Sequence, residues 1–508
     1  MTGHEIELKL SLTPADLAKL KKSPLLDQNQ MVKPKSARLT TLYWDTPDAQ
    51  LAAQGIVVKS RAEGRARTQT VKTAGLKGAA LHARREWEWP VLSEQPNAHL
   101  LETTGLKPFA DPALIAQLIP VYKTEFRRTT HRIGTTDWEI CLTLDEGHVI
   151  AGERSDPISE VELELIRGPA SCLVDLALQV VDVVPARLSI LPKSERGKLL
   201  AVGWSPAPVR AQPEELRADM SVATAFRAIA RNCVNQLVAN ERSLLAVGDP
   251  EAVHQMRVAL RRLRSAMKLF RDLLVAPDHD ALRAELSWLQ NALGPARDTH
   301  VFLEEIVAPV LNAHPEMATL LALHSHWHLE NADKLNAAQS AVGSVRFTRL
   351  ILSLVGWIEA GQWTAPGNPL SSTPIRDYAR HSLARQDKRL RRKATPHPES
   401  LPDEPLHALR ILCKQLRYTG EFFSGLFPRR DVVLNLAALA DLQELLGNLN
   451  DIAVAQQRLI GATPQNPDGG LAWAAGLIAG WHASRKPELR GSVAKLWRRY
   501  AKAPAYWE

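Results

Sequence analysis

Residues 160–165 read Glu-Val-Glu-Leu-Glu-Leu, an acid at every second position with an aliphatic residue between. Successive side chains of an extended strand point to opposite faces. This order therefore predicts a strand with Glu160, Glu162 and Glu164 on one face and Val161, Leu163 and Leu165 on the other. Residues 5–10, Glu-Ile-Glu-Leu-Lys-Leu, repeat the device: Glu5, Glu7 and Lys9 oppose Ile6, Leu8 and Leu10. Glu86 and Glu88 share a face in Arg84-Arg-Glu-Trp-Glu-Trp-Pro-Val91, as do Lys59 and Arg61 in Val57-Val-Lys-Ser-Arg61. Residues 68–72 and 125–132 add further cations on strand-like segments.

One such strand is an ordinary half-solvated element of an antiparallel sheet. Two strands with acids stacked at alternate positions repel themselves unless something positive sits between them. Carboxylate oxygens are the hard ligands that Mg²⁺ and Mn²⁺ take. Lys and Arg on the neighbouring strands suit an anion rich in oxygen, and a guanidinium fork matches phosphate. If the sheet closes, these faces line a cavity instead of meeting bulk water. Acids for a metal and cations for phosphate imply phosphoryl chemistry.

The same residues fall, in order, on a known signature. Glu5-Ile-Glu-Leu-Lys9 resembles the Glu-x-Glu-x-Lys motif of the CYTH superfamily, the triphosphate tunnel metalloenzymes, and the resemblance runs over residues 3–202. Leu42-Tyr-Trp-Asp-Thr-Pro47 is similar to the family's Tyr-Phe-Asp-Thr-Pro segment, and Lys72 to its strand lysine. Arg85, Glu86 and Glu88 match its Arg-Glu-x-Glu strand, and Arg127 and Arg132 fall on its arginine strand. Asp145 lies in Leu142-Thr-Leu-Asp-Glu-Gly147, where an aspartate is expected. Ser159–Leu165 matches the acidic strand and Pro192-Lys-Ser-Glu-Arg196 the closing Lys-Ser-x-Arg motif. One position departs: the family's Leu-Arg-x-Arg is here Val58-Lys59-Ser60-Arg61, which keeps the charge but loses the fork.

The resemblance implies an α+β domain, a closed eight-stranded antiparallel β-tunnel with flanking helices, that hydrolyses a bound triphosphate with Mg²⁺ or Mn²⁺. Glu5, Glu7, Asp145, Glu160, Glu162 and Glu164 are then the candidate metal ligands. Lys9, Lys59, Arg61, Lys72, Arg85, Arg127, Arg132, Lys193 and Arg196 are the candidates for holding phosphate. Lys9 and Glu162 are the candidates for direct catalytic roles, one of the acids orienting the attacking water. Family activities include inorganic triphosphatase, thiamine triphosphatase, RNA triphosphatase and adenylate cyclase.

Trp204-Ser-Pro-Ala-Pro-Val-Arg-Ala-Gln-Pro213 holds three prolines in ten residues and reads as a stiff linker. It divides a first domain at 1–203 from a second at 219–508, with 204–218 between. The second half carries an internal repeat. Val253-His-Gln-Met-Arg-Val-Ala-Leu-Arg-Arg-Leu-Arg264 lines up with Leu406-His-Ala-Leu-Arg-Ile-Leu-Cys-Lys-Gln-Leu-Arg417 at an offset of 153 (406 − 253), and the same offset relates Leu293–Asp298 to Leu446–Asp451. Each copy has an apolar seam at 3,4 spacing, Val253, Met256, Leu260, Leu263, Met267 and Phe270 in the first. Beside it runs a basic row without an acid: His254, Arg257, Arg261 and Arg264 in one copy, His407, Arg410, Lys414 and Arg417 in the other.

This duplicated pattern resembles the CHAD domain, which implies two four-helix bundles and binding of inorganic polyphosphate at those eight positions. Arg391 and Arg392, in the run Lys388–Lys393, are further candidates from charge alone. Nucleic acid is the rival polyanion. Aromatics make up 6% of the chain and do not interleave the basic rows, so no base-stacking platform is expected. No run of ~18 apolar residues predicts a membrane span. Four cysteines without a Cys-x-x-Cys pair fit a reducing cytoplasm. The expected protein is a cytoplasmic, metal-dependent inorganic triphosphatase fused to a polyphosphate-binding module. Its rivals are a polyphosphate adaptor with little turnover, an adenylate cyclase and a thiamine triphosphatase.

Overall fold

The computed structural model describes residues 6–73, 86–203, 205–274, 278–361, 363, 367–394, 397–462 and 470–508. The alternating segments do form strands: β1 (Glu7–Ser11), β2 (Gln30–Asp45), β3 (Ile56–Glu63), β4 (Ala66–Thr73), β5 (Glu86–Pro90), β6 (Ile119–Gly134), β7 (Glu139–Ala151), β8 (Arg154–Arg167) and β9 (Arg187–Leu188). They make one antiparallel sheet in the order β5-β4-β3-β2-β6-β7-β8-β1-β9.

Residues directly opposite in an antiparallel pair share a face, so the register decides which charges meet. Ser11 lies opposite Glu160, Glu160 opposite Asp145, and Asp145 opposite Arg128. Lys9 lies opposite Glu162, which faces Thr143. Farther along, Thr124, Thr41, Arg61 and Thr68 form one row across four strands, and Tyr122, Tyr43, Lys59, Thr70 and Glu88 the next. Every row lies on the same face. The other face is aliphatic. Leu8, Leu10, Leu142, Leu144, Val161 and Leu163 pack under the Ser171–Val183 helix, whose Leu173, Leu176, Ala177, Val180 and Val181 form its buried stripe. At the β3–β4 end, Val58, Val71 and Trp44 are covered by Leu101, Phe109 and Leu114.

Two features depart from the expected closed eight-stranded tunnel. The sheet has nine strands, and among the described residues no hydrogen-bonded ladder joins its edges. The extra strand is only two residues long and pairs with Leu10 and Ser11, too short to leave a periodic signal. Among the described residues the other edge, β5, pairs only with β4.

The chain divides into two compact units, residues 1–207 with 343–360, and 208–342 with 361–508. The Val345–Ala360 helix therefore packs with the sheet although the chain reaches it only after six α-helices of the second unit. Leu352 enters the core behind β1 and β8, Thr348 Oγ1 donates to the Ala186 carbonyl at 2.8 Å, and Arg349 pairs with Asp182. Leu352→Ala, which opens a cavity at a fully buried position, is expected to destabilise the first unit by about 2–5 kcal/mol. Chemical denaturation of the full chain checks this.

In the second unit the repeat is visible element by element. Helices Val222–Ala239, Pro250–Leu269, Asp278–Val301 and Ala318–Val342 are followed by Ile375–Ala394, Asp403–Phe423, Arg429–Ala462 and Gly470–Ala501. Adding 153 to the first four starts gives 375, 403, 431 and 471, each within two residues of the later starts. Both apolar seams are buried. Among the described residues one helix, Arg429–Ile460, is long and apolar enough to cross a bilayer by length and composition, its apolar 18-residue stretch having mean hydropathy 1.2 and being 44% buried. Its Leu439, Leu442, Leu446, Ile452 and Leu459 face the interior of the unit, so a core helix accounts for it.

Candidate functional site

Three carboxylates come together on the charged face. Asp145 from β7 and Glu160 and Glu162 from β8 offer oxygens within 4.8 Å of one another, with Asp145 and Glu160 almost completely buried. Buried carboxylates need compensating charge, and four cations supply it. Arg128 donates a fork to Asp145, Nε at 2.7 Å and Nη2 at 2.6 Å, and bonds Glu162 at 2.6 Å. Lys193 Nζ reaches Asp145, Glu160 and Glu162 at 2.8, 2.7 and 2.8 Å. Lys9 Nζ lies 3.2 Å from Glu7 and 3.5 Å from Glu162, and Arg196 ties Glu160 to Asp156.

These pairings shift the groups in a consistent direction. Burial alone would raise the Glu162 carboxyl, but Lys193, Lys9 and Arg128 outweigh it and hold it well below the usual carboxylate range. Burial likewise works against charge on Lys9 and Lys193. Glu162 and Glu7 raise the first, and Glu162, Glu160 and Asp145 raise the second. Glu162, Lys9 and Lys193 are all charged at neutral pH.

Lys193 and Arg196 reach the acids because the Lys193–Ala201 helix lies on the charged face of the sheet. Its Leu200 packs on Leu39, Phe126, Tyr43 and Tyr122, and Lys193 Nζ stands 5.3 Å from the Phe126 ring. Gly197 permits this approach: a Cβ there would fall 2.1 Å from Tyr122 Cδ2. Tyr122 is buried and stacked on Tyr43 at 4.5 Å, so it has little room to yield. Gly197→Ala is expected to displace Lys193 and Arg196 and, by overpacking against Tyr122, to destabilise the fold by about 1–3 kcal/mol. A thermal melt beside the wild type checks it.

The remaining positions expected from the sequence divide clearly. Glu5 and Arg85 lie outside the described residues. Glu7 and Glu164 face each other across β1 and β8, beyond the three-acid group. Lys72 pairs with Glu86 at 2.8 Å, Arg61 Nε bonds Thr41 Oγ1 at 3.3 Å, and Arg132 pairs with Glu139 at 3.0 Å. Arg127 is exposed on the opposite face, across from Arg38 and Glu146. Its neighbour Arg128 holds the acids instead. The signal for this was available: residues five apart on a strand face opposite ways, so Arg127 and Arg132 could not both point inward, whereas Arg128 and Arg132 can.

Lys59 is 8% exposed, and its ammonium has no ion pair or hydrogen bond among the described residues. Burial, with Arg61 and Lys72 adding to it against the weaker pull of Glu86 and Glu88, pushes its ammonium down to about 7.

In the second unit the two basic rows converge. Arg261 Nε donates to Tyr418 Oη at 3.3 Å, joining the Pro250–Leu269 helix to Asp403–Phe423. Burial, then Arg261, Arg410, Arg257 and Arg417, pushes Lys414 down to about 8. Burial and Arg297 push His254 down to about 4, and its Nδ1 is buried without a partner. Two acids reach the rows, Asp298 at Arg257 and Glu421 at Arg417, both at 3.2 Å. Arg264 bonds Gln290, and His407 Nδ1 lies 2.6 Å from Asn450 Oδ1. Arg391 is turned inward, paired with Asp387 at 2.7 Å and lying over the Tyr500 ring, whereas Arg392 is exposed.

Comparison with known proteins matches this division. The CYTH domain family model fits residues 3–186 and the CHAD domain family model residues 228–460. An inorganic triphosphatase of Haemophilus influenzae is 33% identical over 199 residues, 39% of this chain and 55% of that protein. An uncharacterized protein of Mycobacterium tuberculosis is 26% identical over 230 residues, 45% of this chain and 43% of that one. The chain thus spans about half the length of the curated relatives it matches. The crystal structure of the CHAD domain from the plant Ricinus communis is 33% identical, covers 59% of this chain and 99% of that one, and superimposes with a TM-score of 0.52. The chain belongs to the CHAD domain family and carries a CYTH domain ahead of its CHAD domain.

Proposed function

We propose that the first unit hydrolyses inorganic triphosphate to pyrophosphate and phosphate, and that the second binds inorganic polyphosphate. The observation that carries the first reading is the buried group of Asp145, Glu160 and Glu162 ringed by Lys9, Arg128, Lys193 and Arg196. An all-carboxylate donor set fits a hard divalent cation, Mg²⁺ or Mn²⁺. Bound there, the ion would supply Lewis-acid polarisation of phosphate oxygens. Glu7 and Glu164, and Glu5 by its motif, extend the acidic side. Lys9, Arg61, Lys72, Arg128, Arg132, Lys193 and Arg196, with Lys59 and Arg85, would hold the phosphates and offset charge on the leaving group, since phosphoryl transfer asks chiefly for positioning and electrostatics. Glu162, which receives three cations, is the acid we assign to orienting water. The relative from Haemophilus influenzae, named an inorganic triphosphatase, supports our choice of triphosphate as the substrate here. We take the strands to enclose a tunnel, the helices to form two bundles, and the domains to run over 1–203 and 219–508. Four free thiols favour the cytoplasm.

Lys59 favours a second reading, a site that binds better than it turns over. A lysine near 7 is charged below neutrality and loses its charge above it. The sign is therefore fixed: KM for triphosphate is expected to rise as pH passes from 6 to 8, by up to about tenfold. Lys59→Arg is expected to flatten that rise, which a pH series of KM and kcat measures. The substrate assignment is tested by incubating the full chain with triphosphate, ATP or thiamine triphosphate and resolving the products. Pyrophosphate and phosphate from triphosphate agree with it. Cyclic AMP from ATP, or preferential cleavage of thiamine triphosphate, overturns it.

A further inference from the structure

The Ile375–Ala394 helix carries eight Lys and Arg against two Asp, +6 of a chain whose total is +8. Its buried side, Ala379, Ser382, Leu383, Leu390 and Ala394, is small and apolar. Asp387 is committed to Arg391 and Tyr500. The other cations are exposed, and Arg380, Arg385, Lys388, Arg389, Arg392 and Lys393 have no ion pair among the described residues. At about 100° per residue, Arg385, Lys388, Arg389 and Arg392 fall within an arc of about 100° turned away from Leu383, Leu390 and Ala394, and these four span about 10 Å of axis.

This stripe is separate from the converging basic rows. Gln386 Nε2 donates to Thr419 Oγ1 at 3.0 Å, so the helix packs on the Thr419 side of Asp403–Phe423. Thr419 lies five residues beyond Lys414 and nine beyond Arg410, about 140° and 180° around that helix. The row and the stripe therefore look out from opposite sides of one helix.

The two surfaces suit different polyanions. The rows are recessed, with Lys414 paying in lost protonation for its burial, and favour a slim chain that fills the recess. The stripe is open, straight and solvated. A flexible chain would surrender conformational freedom to lie on it without walls, whereas a duplex arrives stiff, with one charge per ~1.7 Å and counterions to release. Its arginine forks match phosphate oxygens. It has no aromatic side chain for unstacked bases, and the helix's one tyrosine, Tyr378, is half-buried with its hydroxyl on the Leu269 carbonyl. The absence of a stacking platform counts against single strands but not against a duplex read through its backbone. We propose that the exposed face of Ile375–Ala394 is a sequence-independent docking surface for double-stranded nucleic acid.

The test is fluorescence anisotropy of the full-length protein with a labelled duplex of about 24 base pairs and, separately, with long-chain polyphosphate, across about 50–200 mM salt. The wild type is expected to bind duplex with a log K against log salt slope near −4. Arg385→Ala/Lys388→Ala/Arg389→Ala should weaken duplex binding at least ~30-fold and reduce the slope by about 3, with polyphosphate affinity changed less than about twofold. Arg261→Ala/Lys414→Ala should do the reverse. No duplex binding by the wild type at low salt overturns the proposal, as does an unchanged triple variant. Equal loss of polyphosphate binding in the triple variant also overturns it and makes the stripe a second polyphosphate track.

Discussion

On the proposed function, Glu162→Gln is expected to lower kcat for triphosphate by about 10²–10³-fold, the scale seen when one preorganised electrostatic group is removed from a site of this kind. The substitution keeps shape and takes away one charge, and that charge faces Lys193 at 2.8 Å, Arg128 at 2.6 Å and Lys9 at 3.5 Å. All three cations are then left with less compensation, so each is drawn more strongly to Asp145, Glu160 or Glu7 and away from a phosphate. The same change costs stability, because breaking one side of a buried ionic group leaves its partners short. The two effects separate by pH. A carboxyl held below its ordinary value stabilises the fold above the unfolded value near 4.3, and that contribution fades only as pH falls through the lower folded value. The melting difference between wild type and variant is therefore constant from pH 6 to 8 and closes in strong acid. A kcat deficit measured on fully folded protein at pH 7 owes nothing to unfolding. The polyphosphate binding proposed for the second unit is expected to be unaffected.

Replacing Arg257, Arg261, Arg410 and Lys414 together with Ala is expected to weaken the proposed polyphosphate binding by about 10²–10³-fold and to reduce the salt slope by about 3, taking ~0.7 counterion per contact on a single strand. The four cations crowd one another: Arg261, Arg410 and Arg257 all help to depress Lys414. An anion relieves that repulsion, whereas Ala removes it and the attraction together. The variant is accordingly expected to melt no lower than the wild type while losing its ligand, which distinguishes a binding surface from a structural one. The wild type should also lose affinity as pH rises through about 8, where Lys414 gives up its proton. Isothermal titration against polyphosphate of defined length at three salt concentrations and two pH values reads all three effects.

What could be read from the sequence was what periodicity alone encodes. Glu160, Glu162 and Lys9 share a face because a strand has period two, and the register then sets Lys9 opposite Glu162. The helical repeat was equally legible, its offset of 153 reappearing in the helix starts. Long-range geometry was not. The two-residue strand Arg187–Leu188 is too short to carry a pattern. The Lys193–Ala201 helix reaches the charged face only because Gly197 lies against Tyr122, a contact between residues 75 apart in the chain. Val345–Ala360 has an apolar pattern that fits any core, and nothing local assigns it to the sheet. Arg128 was missed because the family motif was matched by residue type, when parity on β6 would have chosen it over Arg127. The burial of Lys59 arises from Tyr43, Thr70 and the strands around them, none of them near it in sequence.

The central claim, that the ringed carboxylates serve a metal-dependent triphosphatase, is tested most directly by phosphate release. Full-length protein stripped with EDTA is given inorganic triphosphate, first without metal and then with Mg²⁺ or Mn²⁺ restored. No turnover until metal is added, followed by cleavage at least about tenfold faster than that of ATP, is the predicted result. Turnover that persists in EDTA, or none with either ion, contradicts it.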